Sequence, residues 1–284
     1  MPENVHIGFN LNHAWLNGRS FEEVVNPLQE AGVDVLELLV EFRFPEFGDH
    51  IEWLCEQAKS AGMGLCFHAP FQDPPFAYGF SRENRAQIET DWQPVIDLLN
   101  RYAGTNGYRS ELVLHGVHGV SGEMDALEAD TVAQAKWILE ECPEIWLGIE
   151  NLPVPRNPDA LRKFGEDRPS VLRAVRAVDH PRCGITWDMG HCVRDKLLEN
   201  PSEEWAKEVI HVHTHDVDDA RQDHWPFILG TTPYQRWISY LLDQGFTGTI
   251  TAELSGNLYA DWPQEKIDGD LLHTIREIKK AIGE

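Results

Sequence analysis

Histidines, aspartates and glutamates recur where the short apolar runs of this sequence end. Buried carboxylates and imidazoles are costly unless they are paired or bound to a metal. A single such residue would mean little, but a series at successive run ends predicts a divalent-metal site, and these donors suit Mn²⁺, Fe²⁺, Co²⁺, Zn²⁺ or Mg²⁺. The residues are His68, His115, His118, Glu150, Asn151, Asp188, His191, His211, His213, His215, Asp216, Asp223, His224 and Glu253.

Each of these residues, taken alone, also fits a structural role. Glu150 fits a salt-bridge partner, Asp188 a cap of the following helix, and Glu253 a buried hydrogen-bonding group. In the run 211–215, HVHTH, alternate side chains point to one face of a strand. At most two of its histidines can reach the strand end, so we interpret His211 as a core residue or a support for a ligand.

The elements that must position these residues are strands and helices in strict alternation. Eight runs rich in β-branched residues predict strands at 5–11, 33–40, 64–70, 111–117, 145–151, 183–189, 209–215 and 248–254. Amphipathic patterns predict helices at 21–32, 51–62, 88–104, 131–142, 169–178, 201–208, 234–245 and 271–283. Alternation of this kind indicates a parallel sheet with right-handed crossovers.

Eight strand–helix units in 284 residues match the size of a TIM barrel, so we predict an α/β fold with a single (β/α)8 TIM-barrel domain over 1–284. A doubly wound open sheet is the alternative, but no GxGxxG turn follows the first strand. The long segments 71–82, 152–166 and 216–232 follow strands. Loops on that face of a barrel are where sites are built.

The charge of the chain bears on its partners. The net charge is −23, and such a surface repels phosphate backbones, which disfavours nucleic acid as a partner. A solvated acidic surface is the simplest interpretation, and adaptation to high salt is the alternative. A small-molecule partner is expected, and a homo-oligomer is allowed.

The cysteines and the first residues of the sequence indicate the cellular compartment to expect. The chain has five cysteines and no CxxC pair, which favours neither a disulfide framework nor a zinc ribbon. No run approaches the ~20 apolar residues of a membrane span. The start, MPENVHIGFN, lacks the basic and apolar regions of a signal peptide. We therefore expect a cytoplasmic protein without a membrane segment.

Seven short motifs, from HAP at 68–70 to AEL at 252–254, contain most of the polar residues named above. Together they resemble the xylose-isomerase-like TIM-barrel superfamily. That group includes sugar phosphate isomerases and epimerases, inosose-processing enzymes, 3-dehydroshikimate dehydratases and the apurinic endonuclease IV family. Each motif alone is weakly specific, but their order and spacing are fairly specific and cover nearly the whole chain. The motifs are HAP (68–70), LHG (114–116), IEN (149–151), WDMGH (187–191), HVHTHD (211–216), DHWPFILG (223–230) and AEL (252–254).

The resemblance implies a ligand set. Glu150, Asp188, His213 and Glu253 match the four metal ligands shared by the sugar epimerases and isomerases. The resemblance thus implies one divalent cation, with a second or third allowed.

Four further histidines match substrate-binding or second-metal positions of the superfamily: His68, His115, His191 and His224. The endonucleases carry an Asp-x-His pair in the loop after strand seven. Here Gln222 stands two positions before His224, and Asp223 is its neighbour. The GEG of many members reads Gly-Thr-Thr at 230–232. The first departure and the acidic surface favour one metal and a sugar-like substrate.

The expected chemistry is proton transfer next to a metal-bound carbonyl of a small sugar, keto-sugar or polyol. Glu150 and Glu253 would be the catalytic carboxylates that remove and return the proton. Trp15, Phe71 and Phe76 are candidates for stacking on a sugar ring. The alternatives are a dehydratase on the same scaffold, an endonuclease-like zinc phosphodiester hydrolase, and a catalytically silent sugar-binding barrel.

Overall fold

The architecture is a closed barrel of parallel strands with flanking helices, seen in a computed structural model. The structure describes residues 4–11, 13–16, 18–40, 45–71, 85–119, 124–157, 162–259 and 261–283. Eight strands close the barrel, which confirms the predicted (β/α)8 fold. The prediction of a single domain over the whole chain stays a prediction.

The barrel strands lie inside the eight runs predicted from the sequence, each shorter by one to three residues. They are β1 (Val5–Asn10), β2 (Val35–Leu39), β3 (Gly64–His68), β4 (Glu111–Leu114), β6 (Trp146–Glu150), β8 (Cys183–Asp188), β9 (Val209–Thr214) and β10 (Gly248–Ala252). A small antiparallel pair, β5 (His118–Gly119) with β7 (Arg162–Lys163), was not predicted. Around the barrel the order is β1-β10-β9-β8-β6-β4-β3-β2.

The helices also follow the predicted pattern, with two additions. They are α1 (His13–Leu16), α2 (Phe21–Ala31), α3 (Pro45–Ser60), α4 (Arg85–Tyr102), α5 (Met124–Glu141), α6 (Arg168–Val178), α7 (Met189–Arg194), α8 (Glu203–Ala206), α9 (Tyr234–Asp243) and α10 (Gln264–Ala281). Helices α1 and α7 were not predicted, since each is too short for amphipathic periodicity to show. Among the described residues, no helix is both long and apolar enough to span a membrane.

Local sequence signals set the helix ends. The Ser20 hydroxyl accepts from the backbone of Glu23, whose carboxylate accepts from the Ser20 amide, and this capping box starts α2. Gly32 ends the same helix with φ 116°, a left-handed conformation that glycine adopts without strain. The Asp167 side chain starts α6 by accepting from the Ser170 amide.

Backbone packing groups the chain into two compact units. The first unit comprises residues 1–37 and 187–284, and the second comprises 38–186. In the first, β1 pairs in parallel with β10, and β10 with β9. In the second, β4 pairs with β3 and with β6. Each unit therefore presents the carboxyl ends of neighbouring parallel strands along one edge, and the predicted polar residues lie there.

Glycine at position 8 lets β1 pack closely inside the first unit. A Cβ at this position would lie 2.4 Å from Thr251 Oγ1 and 2.7 Å from Thr249 Cγ2, both on the buried strand β10. Such distances are below van der Waals contact, so any larger residue must displace β10.

We therefore expect Gly8→Ala to destabilise the fold by about 1–3 kcal/mol through overpacking. The matched control is Gly269→Ala on the exposed face of α10, where no atom lies within 4 Å of the added carbon. It should stabilise the protein by about 0.5–1 kcal/mol, because alanine costs less backbone entropy in a helix. Urea unfolding midpoints measure the stability of both variants relative to wild type. Equal shifts of the midpoint in the two variants would contradict the packing argument.

Candidate metal centre

Three predicted ligands meet at the strand ends of the first unit. Asp188 ends β8, His213 lies near the end of β9, and Glu253 follows β10. One ligand atom from each lies within 4.8 Å of those from the other two. Asp188 and His213 are fully buried, and the Glu253 side chain is 14% exposed. Two carboxylates and one imidazole at this spacing are a donor set suited to a divalent cation.

His213 is held between two carboxylates. Its Nε2 lies 3.0 Å from both carboxylate oxygens of Glu37, and its Nδ1 lies 3.1 Å from Glu253 Oε2. Glu37 also lies 2.8 Å from His211 Nε2. Because a carboxylate only accepts, Glu37 favours the His213 tautomer with its proton on Nε2. That tautomer leaves Nδ1 as an electron-pair donor beside Glu253, as a metal ligand requires.

The charge of Glu37 is stabilised inside the barrel wall. Burial alone raises the pKa of this carboxyl, but His213, and hydrogen bonds from His211 and His213, together lower the pKa to about 2. Glu37 is therefore ionised at neutral pH. Its role went unpredicted because a glutamate inside the apolar run VLELL was treated as part of the strand pattern. A charged residue on a strand otherwise buried is the signal that identifies it.

Asp188 combines a structural and a ligand position. Its Oδ1 accepts the backbone N–H of His191 at 2.7 Å, which makes Asp188 the N-cap of α7. Its Oδ2 lies 3.2 Å from His191 Nδ1 and 3.2 Å from His215 Nε2. Asp188 thus has the helix-capping role that we considered as an alternative, and it also lies in the candidate ligand group.

The tautomer of His215 follows from its backbone contact. Its Nδ1 accepts the backbone N–H of His224 at 2.9 Å, so in the neutral ring the proton is on Nε2 and is donated to Asp188. This ring lies close to Gly190, where a Cβ would come within 1.9 Å of His215 Cε1. The glycine of the WDMGH motif therefore makes room for the imidazole that orients Asp188.

Glu253 is contacted by a second imidazole. Its Oε2 lies 3.2 Å from His224 Nε2, while His224 Nδ1 lies 3.1 Å from Asp223 Oδ1. Burial raises the pKa of Glu253, but the neighbouring imidazoles of His213 and His224 lower it well below its usual range. Burial lowers the pKa of His224, but Glu253 and Asp223 raise it well above its usual range.

The second unit carries its own group around Glu150, at the end of β6. His115 Nε2 lies 2.9 Å from Glu150 Oε2, and His68 Nε2 lies 3.6 Å from the same oxygen. His68 Nδ1 lies 2.9 Å from the Ala69 carbonyl, to which it must donate. In the neutral ring its Nε2 is then an electron-pair donor facing a carboxylate. Burial lowers the pKa of His115 to about 4, against the effect of Glu150, so this ring is neutral at pH 7.

The aromatic residues proposed to stack on a sugar have different positions. Trp15 is buried between Phe9 and Tyr259, with ring centroids 5.7 and 5.9 Å away, so it is a core residue and the stacking prediction for it is wrong. The Phe71 ring centroid lies 4.4 Å from that of His115, beside the Glu150 group. Phe76 lies outside the described residues.

The four histidines predicted to bind substrate or a second metal fall into two sets. His191 and His224 lie beside Asp188 and Glu253 in the first unit, and His68 and His115 lie beside Glu150 in the second. Asp216 accepts the backbone N–H groups of 229–232 and fixes that loop. Trp187 packs against Trp205 and Trp237 in the core, as strand alternation predicts.

Comparisons with known proteins identify the family. A family described as xylose isomerase-like TIM barrel matches residues 25–278 of the chain. An uncharacterised protein of Methanocaldococcus jannaschii, MJ1311, is 30% identical over 244 residues, which cover 82% of this chain and 79% of that protein.

Solved structures share the fold at low identity. D-psicose 3-epimerase from Clostridium cellulolyticum H10, solved with D-tagatose, aligns with TM-score 0.69 and 12% identity over 98% of this chain and 99% of that one. A D-tagatose 3-epimerase-like protein aligns with TM-score 0.65 and 19% identity over 96% and 99%. The IolI protein, solved with a zinc atom, aligns with TM-score 0.67 and 14% identity over 98% of each chain. At these identities the likeness establishes the fold alone.

We expect Glu37→Gln to weaken binding of Co²⁺ about 10–100-fold, because the amide no longer fixes the His213 tautomer. It should also destabilise the protein by about 1.5–3 kcal/mol, since two buried imidazoles lose a charged acceptor. Glu166→Gln is the matched control: Glu166 is a buried carboxylate bonded to Arg162 and to the Lys163 amide, and it lies in no candidate ligand group of the described residues. Calorimetric titration with Co²⁺ should show near-normal affinity for this control, and an equal loss in both variants would contradict the assignment.

Proposed function

Because this chain belongs to the xylose isomerase-like TIM-barrel family, we propose that it is a divalent-metal-dependent isomerase or epimerase. Its substrate would be a small sugar, keto-sugar or polyol of carbohydrate metabolism. The reaction would be proton transfer at the carbon next to a carbonyl. The observation that carries the proposal is the buried group formed by Asp188, His213 and Glu253. Each of the three contacts a further residue that orients it.

Glu150 would complete the ligand set, and strand topology supports this. In the barrel order, β6, β8, β9 and β10 are consecutive strands, and Glu150, Asp188, His213 and Glu253 lie at or near their carboxyl ends. In the parallel ladder Glu150 is in register with Thr186, two residues before Asp188 on the same strand. Ligands of TIM-barrel enzymes are presented from this end of the barrel.

The donor set fits a hard or borderline divalent cation such as Mn²⁺, Zn²⁺, Co²⁺, Fe²⁺ or Mg²⁺. Three carboxylates and one imidazole would compensate the charge of one such ion. When bound, the cation would act as a Lewis acid that polarises the substrate carbonyl and lowers the pKa of the adjacent C–H.

The chain's own residues would carry the proton. Glu253 is ionised at neutral pH, as a general base must be, and Glu150 lies on a strand three places away in the barrel order. One carboxylate would take the proton and the other would return it, to the opposite face in an epimerisation or to the neighbouring carbon in an isomerisation. His191, whose Nδ1 lies 3.2 Å from Asp188 Oδ2, would contact a substrate oxygen.

A second candidate is a phosphodiester hydrolase with more than one metal. The observation in its favour is the group of His68, His115 and Glu150, whose ligand atoms lie within 4.8 Å of one another. The His68 tautomer directs an electron pair from Nε2 into that group. The net charge of −23 argues against a nucleic-acid substrate. Metal content separates the two candidates: one ion per chain supports the isomerase, and three zinc ions support the hydrolase.

The isomerase proposal predicts exchange of a substrate proton with solvent. We expect the protein, loaded with Mn²⁺ or Co²⁺ in D₂O, to incorporate deuterium next to the carbonyl of at least one compound in a panel of ketohexoses and ketopentoses. Glu150→Gln and Glu253→Gln should each lower this rate by about 10²–10⁴-fold, because a general base is lost. Proton NMR of the sugar measures the exchange and also detects a dehydrated product.

The control is Glu89→Gln, which removes a carboxylate of an exposed ion pair on α4 and should leave the rate unchanged. EDTA should abolish exchange, and added Mn²⁺ should restore it. Cleavage of an abasic-site DNA duplex at low salt, without sugar exchange, would replace the isomerase by the hydrolase. Unchanged exchange in both glutamate variants would refute the assigned roles.

A further inference from the structure

We propose that Arg194 and Asp223 form a positioning pair that acts through His224 to fix the carboxylate of Glu253. This inference rests on the proposed function only in treating Glu253 as a reacting group. The four side chains form one continuous line of contacts in the first unit. None of them touches a substrate in this role except Glu253, so Arg194, Asp223 and His224 are positioning residues.

The line begins at the end of α7. The Arg194 guanidinium binds Asp223 Oδ2, and the other oxygen of this carboxylate, Oδ1, lies 3.1 Å from His224 Nδ1. Gln222 Nε2 approaches Asp223 Oδ1 at 3.4 Å. His224 Nε2 then lies 3.2 Å from Glu253 Oε2. The contacts therefore run from a guanidinium to a carboxylate, from there to an imidazole, and finally to the carboxylate of Glu253. Each group faces one of complementary charge or hydrogen-bonding type.

Burial distinguishes this ion pair from the surface pairs of the protein. The Arg194 and Asp223 side chains are 15% and 9% exposed, whereas the Arg85–Glu89 pair is 51% and 36% exposed. Exposed pairs contribute little, while breaking a buried pair leaves an uncompensated charge. Arg194 thus compensates a carboxylate that would be costly to keep ionised beside the site.

The backbone of His224 shows that its position is enforced. Its φ is 67°, in the left-handed region that a non-glycine residue adopts only when its surroundings impose it. Its N–H donates to His215 Nδ1 at 2.9 Å. Its carbonyl accepts from the Ser255 amide at 3.1 Å and from the Tyr259 hydroxyl at 3.2 Å. Backbone and side chain of His224 therefore both join the loop after β9 to the segment that carries Glu253.

The donor and acceptor roles of these side chains determine how His224 is oriented. Asp223 only accepts, so it keeps a proton on His224 Nδ1 and fixes the ring plane. Glu253 also only accepts, so the ring carries a second proton on Nε2, on the side opposite Asp223, and donates it to Glu253. Without the Asp223 carboxylate the imidazole can rotate or lose its Nδ1 proton, so its hydrogen bond to Glu253 is no longer held in one direction. The expected consequence is a less well oriented proton-transfer carboxylate rather than a weaker substrate site.

The test compares Asp223→Asn with the control Asp195→Asn. Asp195 follows Arg194 in the sequence and pairs at 2.7 Å with Arg221, which lies two residues before Asp223. The first readout needs no substrate: long-range proton–nitrogen NMR of metal-free protein labelled with ¹⁵N-histidine, with the His224 signals assigned by their loss in His224→Gln. We expect the His224 Nδ1 shift to change in Asp223→Asn and to stay as in wild type in Asp195→Asn.

The second readout is the deuterium exchange rate on the sugar identified by the panel. We expect Asp223→Asn to lower kcat about 10–100-fold with KM little changed. Arg194→Lys, which keeps the charge, should retain more activity than Arg194→Gln. An unchanged His224 shift, or an unchanged kcat in Asp223→Asn, overturns the positioning role. If wild type exchanges no sugar, the proposed function fails while the NMR comparison still decides the contact of Asp223 with His224.

Discussion

The negative charge of a carboxylate buried at the end of a barrel strand must be balanced by a nearby positive charge or hydrogen-bond donor. The described site depends on this requirement. In a low-dielectric interior an unpaired charge is far more costly than a lost hydrogen bond. Each acidic residue here faces imidazoles: Glu37 faces His211 and His213, and Glu253 faces His213 and His224. These contacts also fix the tautomers and orientations of the imidazole rings. In a metal centre, the residues that hydrogen-bond to the ligands have this function.

The backbone is adapted to the same requirement. Asp188 both caps α7 and lies in the ligand group, so the start of that short helix and the orientation of the carboxylate are one feature. Gly190, in the first turn of α7, leaves space for the His215 ring that donates to Asp188. The loop after β9 is fixed by Asp216, which accepts from four successive backbone amides. Buried polar residues outside the proposed ligand set thus orient the side chains that belong to it.

The barrel and the strand-end residues could be predicted because both depend on local sequence. Apolar runs alternating with amphipathic segments specify parallel strands and crossovers, and the carboxyl end of each run marks the edge where polar residues collect. Contacts between distant segments could not be predicted this way. Glu37 is separated from His213 by most of the chain, and Arg194 meets Asp223 only after α7 and the loop fold together. Trp15 was misassigned for the same reason, since Tyr259, which covers it, comes from the other end of the sequence.

The claim on which the account rests is that Glu150, Asp188, His213 and Glu253 bind one divalent cation. The most direct measurement is a crystal structure of the protein loaded with Mn²⁺ or Co²⁺, with anomalous scattering recorded at the absorption edge of the metal. We expect an anomalous peak bonded to one atom of each of these four side chains, with His213 ligating through Nδ1 and donating from Nε2 to Glu37. A peak bonded elsewhere, or four side chains that share no ion, would contradict it.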